Sequence, residues 1–317
     1  MNMKRALLFF LSCLVAFGSF AQPTQPILQL ETGMHLGMIN RISSDREGRY
    51  LLTCSDDKTA RLWDAASGRL LRTLRIPMAA GNEGKIYACA LSPDGRYAAI
   101  GGWTAYAWDS KCCIYILDAQ TGAFIKKLKN LESSVLDLEF SPNGEWLAAG
   151  LAGSAGVQVF QTRSWTSYTA MKGYGGDVYG LSFSGNDVLA STCEDGHVRI
   201  YKDFTLQQDI ANIGEEQRAI CFSPDGKTLA VAGQEVPTVT LLDARTGRII
   251  ERHTNKDVEQ DRKFTALAFS QDGSQLWAGG SPTAWNATTE RWQRFLRSWS
   301  NGGRGSFTDH PIFSNIV

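Results

Sequence analysis

The stretch FSPDGKTLAVAG, residues 222–233, contains the pattern that decides the fold. An apolar residue is followed by Ser-Pro-Asp-Gly and then by a second apolar run. Proline fixes φ at a turn position and glycine adopts positive φ without steric cost, so these four residues close a tight turn. The stretch therefore predicts two antiparallel strands joined as a β-hairpin.

The same phrase recurs along the chain. Its turn glycines lie 47 to 49 residues apart, except for one interval of 82 that contains a weaker copy. Such regular self-similarity is typical of repeat architectures. The clear copies are LSPDGRYAAIGG (91–102), FSPNGEWLAAG (140–150) and FSQDGSQLWAGG (269–280), and the weaker ones are SSDREGRYLLTCS (43–55) and FSGNDVLAST (183–192).

A second phrase follows each copy of the first. It reads RLWDAASGRLLRTL (61–74), YILDAQTGAFIKKL (115–128) and TLLDARTGRIIERH (240–253), and it predicts two further strands around an Asp-Ala-x-(Thr/Ser)-Gly turn. Each repeat is then a four-stranded antiparallel meander, which cannot bury both of its faces alone. Sheets that pack face to face around a common axis bury both faces of each sheet. The sequence thus predicts an all-β propeller with six recognisable repeats.

The first repeat resembles the WD-repeat (Trp-Asp repeat) β-propeller family, and the resemblance covers about residues 27–312. In that family a His, a Ser or Thr, a turn Asp and a Trp form a structural hydrogen-bonded set. The resemblance places this set at His35, Ser55, Asp57 and Trp63. The other repeats depart from it, since the residues at the Trp position are Leu117, Phe160, Tyr201 and Leu242.

The repeats occupy residues 34–300 and leave two ends to assign. Residues 22–33 contain PILQLETG, which could close a six-bladed ring as the missing fourth strand. In the alternative, residues 301–317 finish blade six and begin a seventh, incomplete blade. We expect RFLRSWS (294–300) to form the third strand of blade six. The chain could also be a truncated version of a longer protein.

The N-terminal segment predicts export. Lys4 and Arg5 precede an apolar core of residues 6–17, and small residues occupy Ser19 and Ala21. This order is that of a secretory signal peptide over residues 1–21, cleaved near Ala21. We therefore expect a bacterial-type exported member, periplasmic or secreted. No later apolar run is long enough for a transmembrane helix.

Composition and motifs argue against several other functions. The net charge is zero, and no Lys- or Arg-rich run offers a surface for nucleic acid. The cysteines and the four histidines do not show metal-ligand spacing, and the common catalytic motifs are missing. We therefore expect no catalytic residues, no metal and no cofactor. Cys112 and Cys113 are adjacent in a strand and should point to opposite faces, so at least one is interpreted as a small buried residue.

The extra residues of the repeats fall in the loops after the second strand and between blades. In a meander propeller both loop classes emerge on the same rim, and loops on a rigid scaffold commonly carry function. We expect that rim to bind a protein or peptide partner through exposed aromatic anchors. Alternatively, these rings fold back against the blades. The candidates are Trp103, Tyr106, Trp108, Tyr174, Trp285 and Trp292.

An exported propeller enzyme is the alternative to a binding scaffold. The phrases LDAQTG and LDARTG resemble those of quinone-dependent dehydrogenase propellers. In those enzymes a docking Trp follows, whereas this chain continues with Phe124-Ile125-Lys126 in one copy and Ile249-Ile250-Glu251 in the other. A metal-ligand cluster of the lactonase type is not visible either. The sequence therefore favours a non-catalytic scaffold.

Overall fold

A computed structural model describes residues 33–104, 112–211, 213–214, 216–233, 238–254, 264–280, 283–286 and 291–294. Over these ranges the chain forms six antiparallel sheets of four strands, each ordered as in the sequence. A short 3₁₀ turn at Gly153–Ala155 is the helical structure that these ranges contain. The prediction of an all-β propeller is confirmed. The same ranges hold no helix that is long and apolar enough to cross a membrane.

Each sheet is one blade, and its strands run in chain order from the inside outward. Blade one contains β1 to β4, at Ile39–Ser44, Tyr50–Ser55, Thr59–Asp64 and Leu70–Arg75. Blade two contains β5 to β8, at Ile86–Leu91, Tyr97–Gly102, Cys112–Asp118 and Phe124–Leu131. Blade three contains β9 to β12, at Val135–Phe140, Trp146–Leu151, Val157–Gln161 and Thr166–Met171.

The remaining three blades repeat this arrangement. Blade four contains β13 to β16, at Val178–Ser184, Val188–Cys193, Val198–Lys202 and Thr205–Ile210. Blade five contains β17 to β20, at Gln217–Phe222, Thr228–Gly233, Thr238–Asp243 and Ile249–Thr254. Blade six contains β21 to β24, at Phe264–Phe269, Leu276–Gly280, Thr283–Asn286 and Arg291–Arg294.

The Ser-Pro-Asp-Gly phrase forms the turn between the first and second strands of a blade. In blade two, the Ser92 hydroxyl donates to Asp94 Oδ1 at 2.5 Å and accepts from the Tyr97 N–H at 2.8 Å. Gly95 closes the turn with φ of 74°, a left-handed conformation that glycine adopts without strain. The turn is therefore held by its own side chains, which explains why the phrase is so legible in the sequence.

Neighbouring blades bury apolar side chains between them. In β7, Cys112, Ile114 and Ile116 lie in the core shared with blade three. Cys113 and Tyr115 alternate with them and lie in the core shared with blade one. Because both faces of the strand are covered, the run CCIYIL is continuously apolar. Cys112 and Cys113 are both buried and point to opposite faces, as the alternation predicts.

Blade one has one covered and one uncovered face in the described structure. Ile39 and Ile42 are exposed on β1, and Ile42 keeps 57% of its surface accessible. Their counterparts in β5, Ile86 and Cys89, are 0% and 2% exposed because blade one covers them. Within the described ranges, no blade covers the corresponding face of blade one.

The prediction for the outer strands of blade six was wrong. The segments around Trp285 and Trp292, expected on the loop-bearing rim, form β23 and β24, whereas residues 294–300 were expected to supply the third strand. Two short runs around Trp285 and Trp292 suffice for a hairpin, because aromatic residues favour strands. Residues 1–32 and 295–317, with the predicted signal peptide and both alternatives for closing the ring, lie outside the described residues.

Candidate functional site

The loops after the second strands and the loops between blades lie on one rim, which we call the loop rim. There the Gly84 N–H donates to the Trp103 carbonyl at 2.9 Å, and the Trp103 N–H donates to the Lys85 carbonyl at 3.0 Å. These bonds join the loop before β5 to the end of β6. The short turns lie on the opposite rim, where the Arg46 N–H donates to the Pro93 carbonyl at 3.1 Å.

Trp103 is the aromatic candidate that the structure leaves open to solvent on the loop rim. Its side chain is 43% exposed, although both polar groups of its backbone are hydrogen-bonded. The next residue, Thr104, is buried and exchanges hydrogen bonds with the backbone of Cys113 at 2.7 and 2.9 Å. The indole is thus presented from a fixed backbone at the start of the 103–111 loop.

Tyr174 does not lie on the surface, and the expectation of an exposed anchor there was wrong. The residue is 4% exposed. Its hydroxyl lies 2.8 Å from Ser191 Oγ and 2.9 Å from the Tyr201 hydroxyl. Burial raises the pKa of Tyr174 well above its ordinary value, so the phenol stays protonated. Of the two alternatives for this ring, exposure to a partner and packing against the blade, the second is correct.

The structure describes less of the other four aromatic candidates. Tyr106 and Trp108 lie outside the described residues. Trp285 and Trp292 are opposite each other in the β23–β24 ladder, so their backbones belong to blade six rather than to a loop. Their side chains lie outside the described part of the chain.

The hydrogen-bonded set of blade one connects two strands, the turn between them and the loop before β1. The Trp63 indole N–H donates to Thr53 Oγ1 at 2.8 Å. Thr53 lies 2.8 Å from His35 Nε2, and His35 Nδ1 lies 2.9 Å from Asp57 Oδ2. These partners assign the proton to Nδ1, so the bonds run in one direction from Trp63 to Asp57.

Thr53, not Ser55, is the hydroxyl that links the Trp to the His. Ser55 instead accepts the Asp57 N–H at 3.1 Å and shapes the turn before β3. Both residues have suitable side chains, and only the pairing of β2 with β3 distinguishes them. Thr53 on β2 is paired with Arg61 on β3, and Arg61 lies two positions before Trp63 on β3. This register brings the Thr53 hydroxyl within reach of the Trp63 indole.

Asp57 is the charged end of this set. Burial disfavours its ionised form, but hydrogen bonds from the side chains of His35 and Thr59 and from the Leu36 N–H outweigh the burial. The pKa of Asp57 is consequently held well below its ordinary value. A carboxylate that accepts so many local bonds stabilises a turn and leaves little capacity for catalysis.

Blade four contains a variant of the same set. The Gly175 N–H donates to Asp195 Oδ2 at 2.9 Å, as the Leu36 N–H does to Asp57 at 3.0 Å. Tyr174 therefore stands where His35 stands, Ser191 replaces Thr53, and Tyr201 replaces Trp63. The sequence contains a signal for this equivalence of the two blades. The residue after the ring precedes the turn Asp by 20 positions in blade four and by 21 positions in blade one.

Two half-buried ion pairs lie on the loop rim. Lys85 Nζ is 3.5 Å from Asp56 Oδ2, and Arg218 Nη2 is 2.6 Å from Glu216 Oε1. The Arg218 guanidinium also stands 4.1 Å from the centroid of the Tyr179 ring, a cation–π contact. These residues carry no sequence signal, because neighbouring charges in loops form no motif.

The first strands of successive blades contact one another, and their side chains meet around a common axis. Arg41 of blade one donates from Nε to Asp137 of blade three at 3.0 Å and from Nη2 to the Tyr179 carbonyl of blade four. Burial raises the pKa of Glu139 to about 8, helped by the Asp137 carboxylate and opposed by the Phe183 N–H. Arg41 and Asp137 bind each other and Glu139 accepts the Phe183 N–H, so the axis is a structural polar core.

Within the described ranges, no three His, Cys, Asp or Glu side chains come together in a way that could hold a metal ion. The loop rim itself presents Trp103 and the two ion pairs.

A family model described as "WD domain, G-beta repeat" matches the chain in four segments, at residues 28–64, 68–115, 122–159 and 165–202. Each segment covers roughly one blade with a shifted boundary, as expected for a circular repeat whose start is arbitrary. The matched segments together span about half of the chain.

Several curated proteins are similar to the chain. A "Guanine nucleotide-binding protein subunit beta" of Arabidopsis thaliana is 25% identical over 83% of this chain and 70% of its own length. A "Periodic tryptophan protein 2" of Saccharomyces cerevisiae is 32% identical over 45% of this chain. The chain spans only 18% of that protein's length. These relatives are eukaryotic.

Proposed function

Because the chain belongs to the WD-repeat family, we propose that it is a non-catalytic scaffold that binds a protein or peptide partner on its loop rim. Relatives of the chain support this, since one of them is by its printed name a subunit of an assembly. The fold supports it too: the blades are closed by short turns on one rim, and the opposite rim carries the variable loops.

The observation that carries the proposal is Trp103. An indole that is 43% exposed, on a backbone held by two hydrogen bonds, loses little conformational entropy on binding. Tryptophan is also enriched among the residues that dominate binding energy at interfaces. A partner gains most where a rigid aromatic side chain can enter a pocket and lose its remaining contact with water.

The ion pairs of the loop rim provide specificity in addition to this anchor. Lys85 with Asp56, and Arg218 with Glu216, present both signs of charge in half-buried positions. A partner must offer complementary polar groups or leave these charges desolvated, which penalises wrong partners. We therefore expect a polar segment with an apolar pocket or groove, rather than a uniformly charged polymer.

We propose further that this binding takes place outside the cytoplasm. Residues 1–21 have the order of a secretory signal peptide, and cleavage after Ala21 would leave Gln22 as the first residue. Expression in a secreting host, followed by mass measurement of the intact product, tests this. A product that retains residues 1–21 in the cytoplasmic fraction would contradict export.

The experiment for the scaffold function compares three immobilised proteins: the wild type, Trp103→Ala and Phe124→Ala. Phe124 is a matched control, since it is an exposed aromatic residue on the outer strand β8. We expect a partner that the wild type and Phe124→Ala retain equally, and that Trp103→Ala binds roughly 30-fold more weakly. Equal binding by all three proteins would refute the role of the loop rim.

A propeller enzyme makes a different prediction about the purified protein. It would carry a quinone or a metal ion in stoichiometric amount, visible by absorbance or elemental analysis. Finding either would refute the non-catalytic proposal. The capture experiment is independent of this test, so the two parts of the proposal fail separately.

A further inference from the structure

Two thiols from different blades meet in the core between blades one and two. Cys54 lies on β2 and is 0% exposed, and Cys89 lies on β5 and is 2% exposed. Both belong to the same cluster of buried residues, and both are reduced thiols in the structure. They come from sequence positions 35 residues apart, so a bond between them would join two sheets.

The contacts of Cys89 place its sulfur against the inner strands of blade one. Cys89 Sγ lies 3.8 Å from the Arg41 carbonyl and 3.7 Å from the Leu52 carbonyl. In the β1–β2 ladder, Arg41 is the partner of Cys54. Cys54 and Leu52 face the same side of β2, and their side chains lie in the core cluster that also contains Cys89.

We propose that Cys54 and Cys89 form a disulfide bond that joins blade one to blade two when the chain meets a thiol oxidant of the disulfide class. A thiolate of one cysteine attacks the oxidant RSSR and releases RS⁻, which leaves a mixed disulfide. The second cysteine attacks that mixed disulfide and releases a second RS⁻. The two cysteines lose two electrons and two protons, and the oxidant becomes two RSH.

The folded interface protects this pair, so the reaction belongs to the folding chain or to an opened interface. Burial raises the pKa of the Cys89 thiol well above its ordinary value, which disfavours the reactive thiolate in the closed structure. The same burial would shield a formed disulfide from reductants. The bond would therefore form early and persist.

The other described cysteines do not offer such a pair. Cys112 lies in the core between blades two and three. Cys113 shares the core of Cys54 and Cys89, but its sulfur lies 3.8 Å from the Thr104 carbonyl of its own blade. Cys193 belongs to the core between blades three and four, where its sulfur lies 3.4 Å from the Gly176 carbonyl. Cys221 lies on β17 and packs against the core between blades five and six.

A covalent link would also stabilise blade one, whose apolar contacts with blade two fill the core that holds both cysteines. A disulfide that closes a loop of 35 residues restricts the unfolded chain and holds this blade in place.

The test refolds the full chain with oxidised glutathione, blocks remaining thiols with N-ethylmaleimide, and maps the digest by mass spectrometry without reduction. We expect a peptide pair linked through Cys54 and Cys89, and a Tm higher by about 5–10 °C than that of the reduced protein. Cys193→Ser should keep the linked pair, whereas Cys54→Ala and Cys89→Ala should each abolish it.

Two results would overturn the proposal. One is N-ethylmaleimide on both Cys54 and Cys89 after oxidation, and the other is a linked pair that joins either residue to a different cysteine. Both are read from the wild-type chain, so the proposal stays falsifiable even if a variant fails to fold.

Discussion

Tyr174 in blade four takes the place that His35 takes in blade one. Each ring contacts a hydroxyl on the second strand, Ser191 for Tyr174 and Thr53 for His35. In each case the following backbone N–H donates to the Asp of the next turn. Both blades thus hold the loop before their first strand through the same pattern of hydrogen bonds, made by different side chains.

The hydroxyl of Thr53 should be a major contributor to the stability of blade one. Thr53→Val keeps the shape of the side chain but leaves the buried His35 and the Trp63 indole without their shared partner. We expect the free energy of unfolding to fall by about 2–3 kcal/mol, measured by urea denaturation. Thr205→Val, at an exposed position on β16, should change it by less than about 0.5 kcal/mol. A small effect of Thr53→Val would contradict the role assigned here.

The tyrosine pair of blade four should behave as one unit. Tyr174→Phe and Tyr201→Phe each remove a hydroxyl from the same buried contact, and each should cost about 1–2 kcal/mol of unfolding free energy. The double variant should cost less than the sum, because the two hydroxyls share a bond of 2.9 Å. Tyr168→Phe, at an exposed ring, is the control. Strict additivity would show that the hydroxyls act independently.

Asp57 should make the protein sensitive to acid. Its folded pKa lies below the unfolded value, so its contribution is present above that unfolded value, about 4, and is lost as the pH falls further. Asp57→Asn should therefore flatten the dependence of stability on pH in this range. At pH 7 it should lower the unfolding free energy by about 2 kcal/mol. An unchanged acid profile of the variant would refute the assignment.

Glu139 should act in the opposite direction. Its pKa rises from the ordinary 4.5 to about 8 in the folded protein, so the folded state holds the proton more tightly. Stability should then fall as the pH rises from about 4.5 to about 8. Glu139→Gln should remove this fall and stabilise the protein above pH 8, measured as denaturation midpoints at pH 6 and pH 9. Glu145→Gln, at an exposed turn, should leave the profile unchanged.

The ion pair between Arg41 and Asp137 should be costly to break from one side. Asp137→Ala leaves the Arg41 guanidinium and the Leu181 N–H without their acceptor, and we expect a loss of about 3–5 kcal/mol. The double variant Arg41→Ala/Asp137→Ala should lose less than Arg41→Ala and Asp137→Ala together. A double-mutant cycle in urea measures the difference, and a coupling near zero would contradict the pair.

The repeat could be recognised from local chemistry alone. The turn around Gly95 is built by Ser92, Asp94 and the backbone between them, so its signal lies within a few residues. The alternation of faces in β7 likewise follows from strand geometry, and it placed Cys112 and Cys113 on opposite sides. Trp103 was selected because loop length varied at that point of the repeat.

The candidate site was less predictable, because its contacts join residues that are far apart in the sequence. Tyr174 looked like a surface ring because its partners, Ser191 and Tyr201, lie 17 and 27 residues away on two different strands. The outer strands of blade six were misplaced because short aromatic runs fit a loop and a hairpin equally well. Neither case has a local pattern that distinguishes the alternatives.

The sequence by itself determined the number of visible repeats, the turns that close them and the all-β class, because these depend on φ preferences and on alternation within short segments. Only the tertiary structure decided that Thr53 rather than Ser55 meets Trp63, that Tyr174 is buried, and that Arg41 reaches Asp137. Those outcomes depend on which side chains arrive from other strands and blades. Burial and long-range partners are properties of the packed sheets and not of any stretch of the chain.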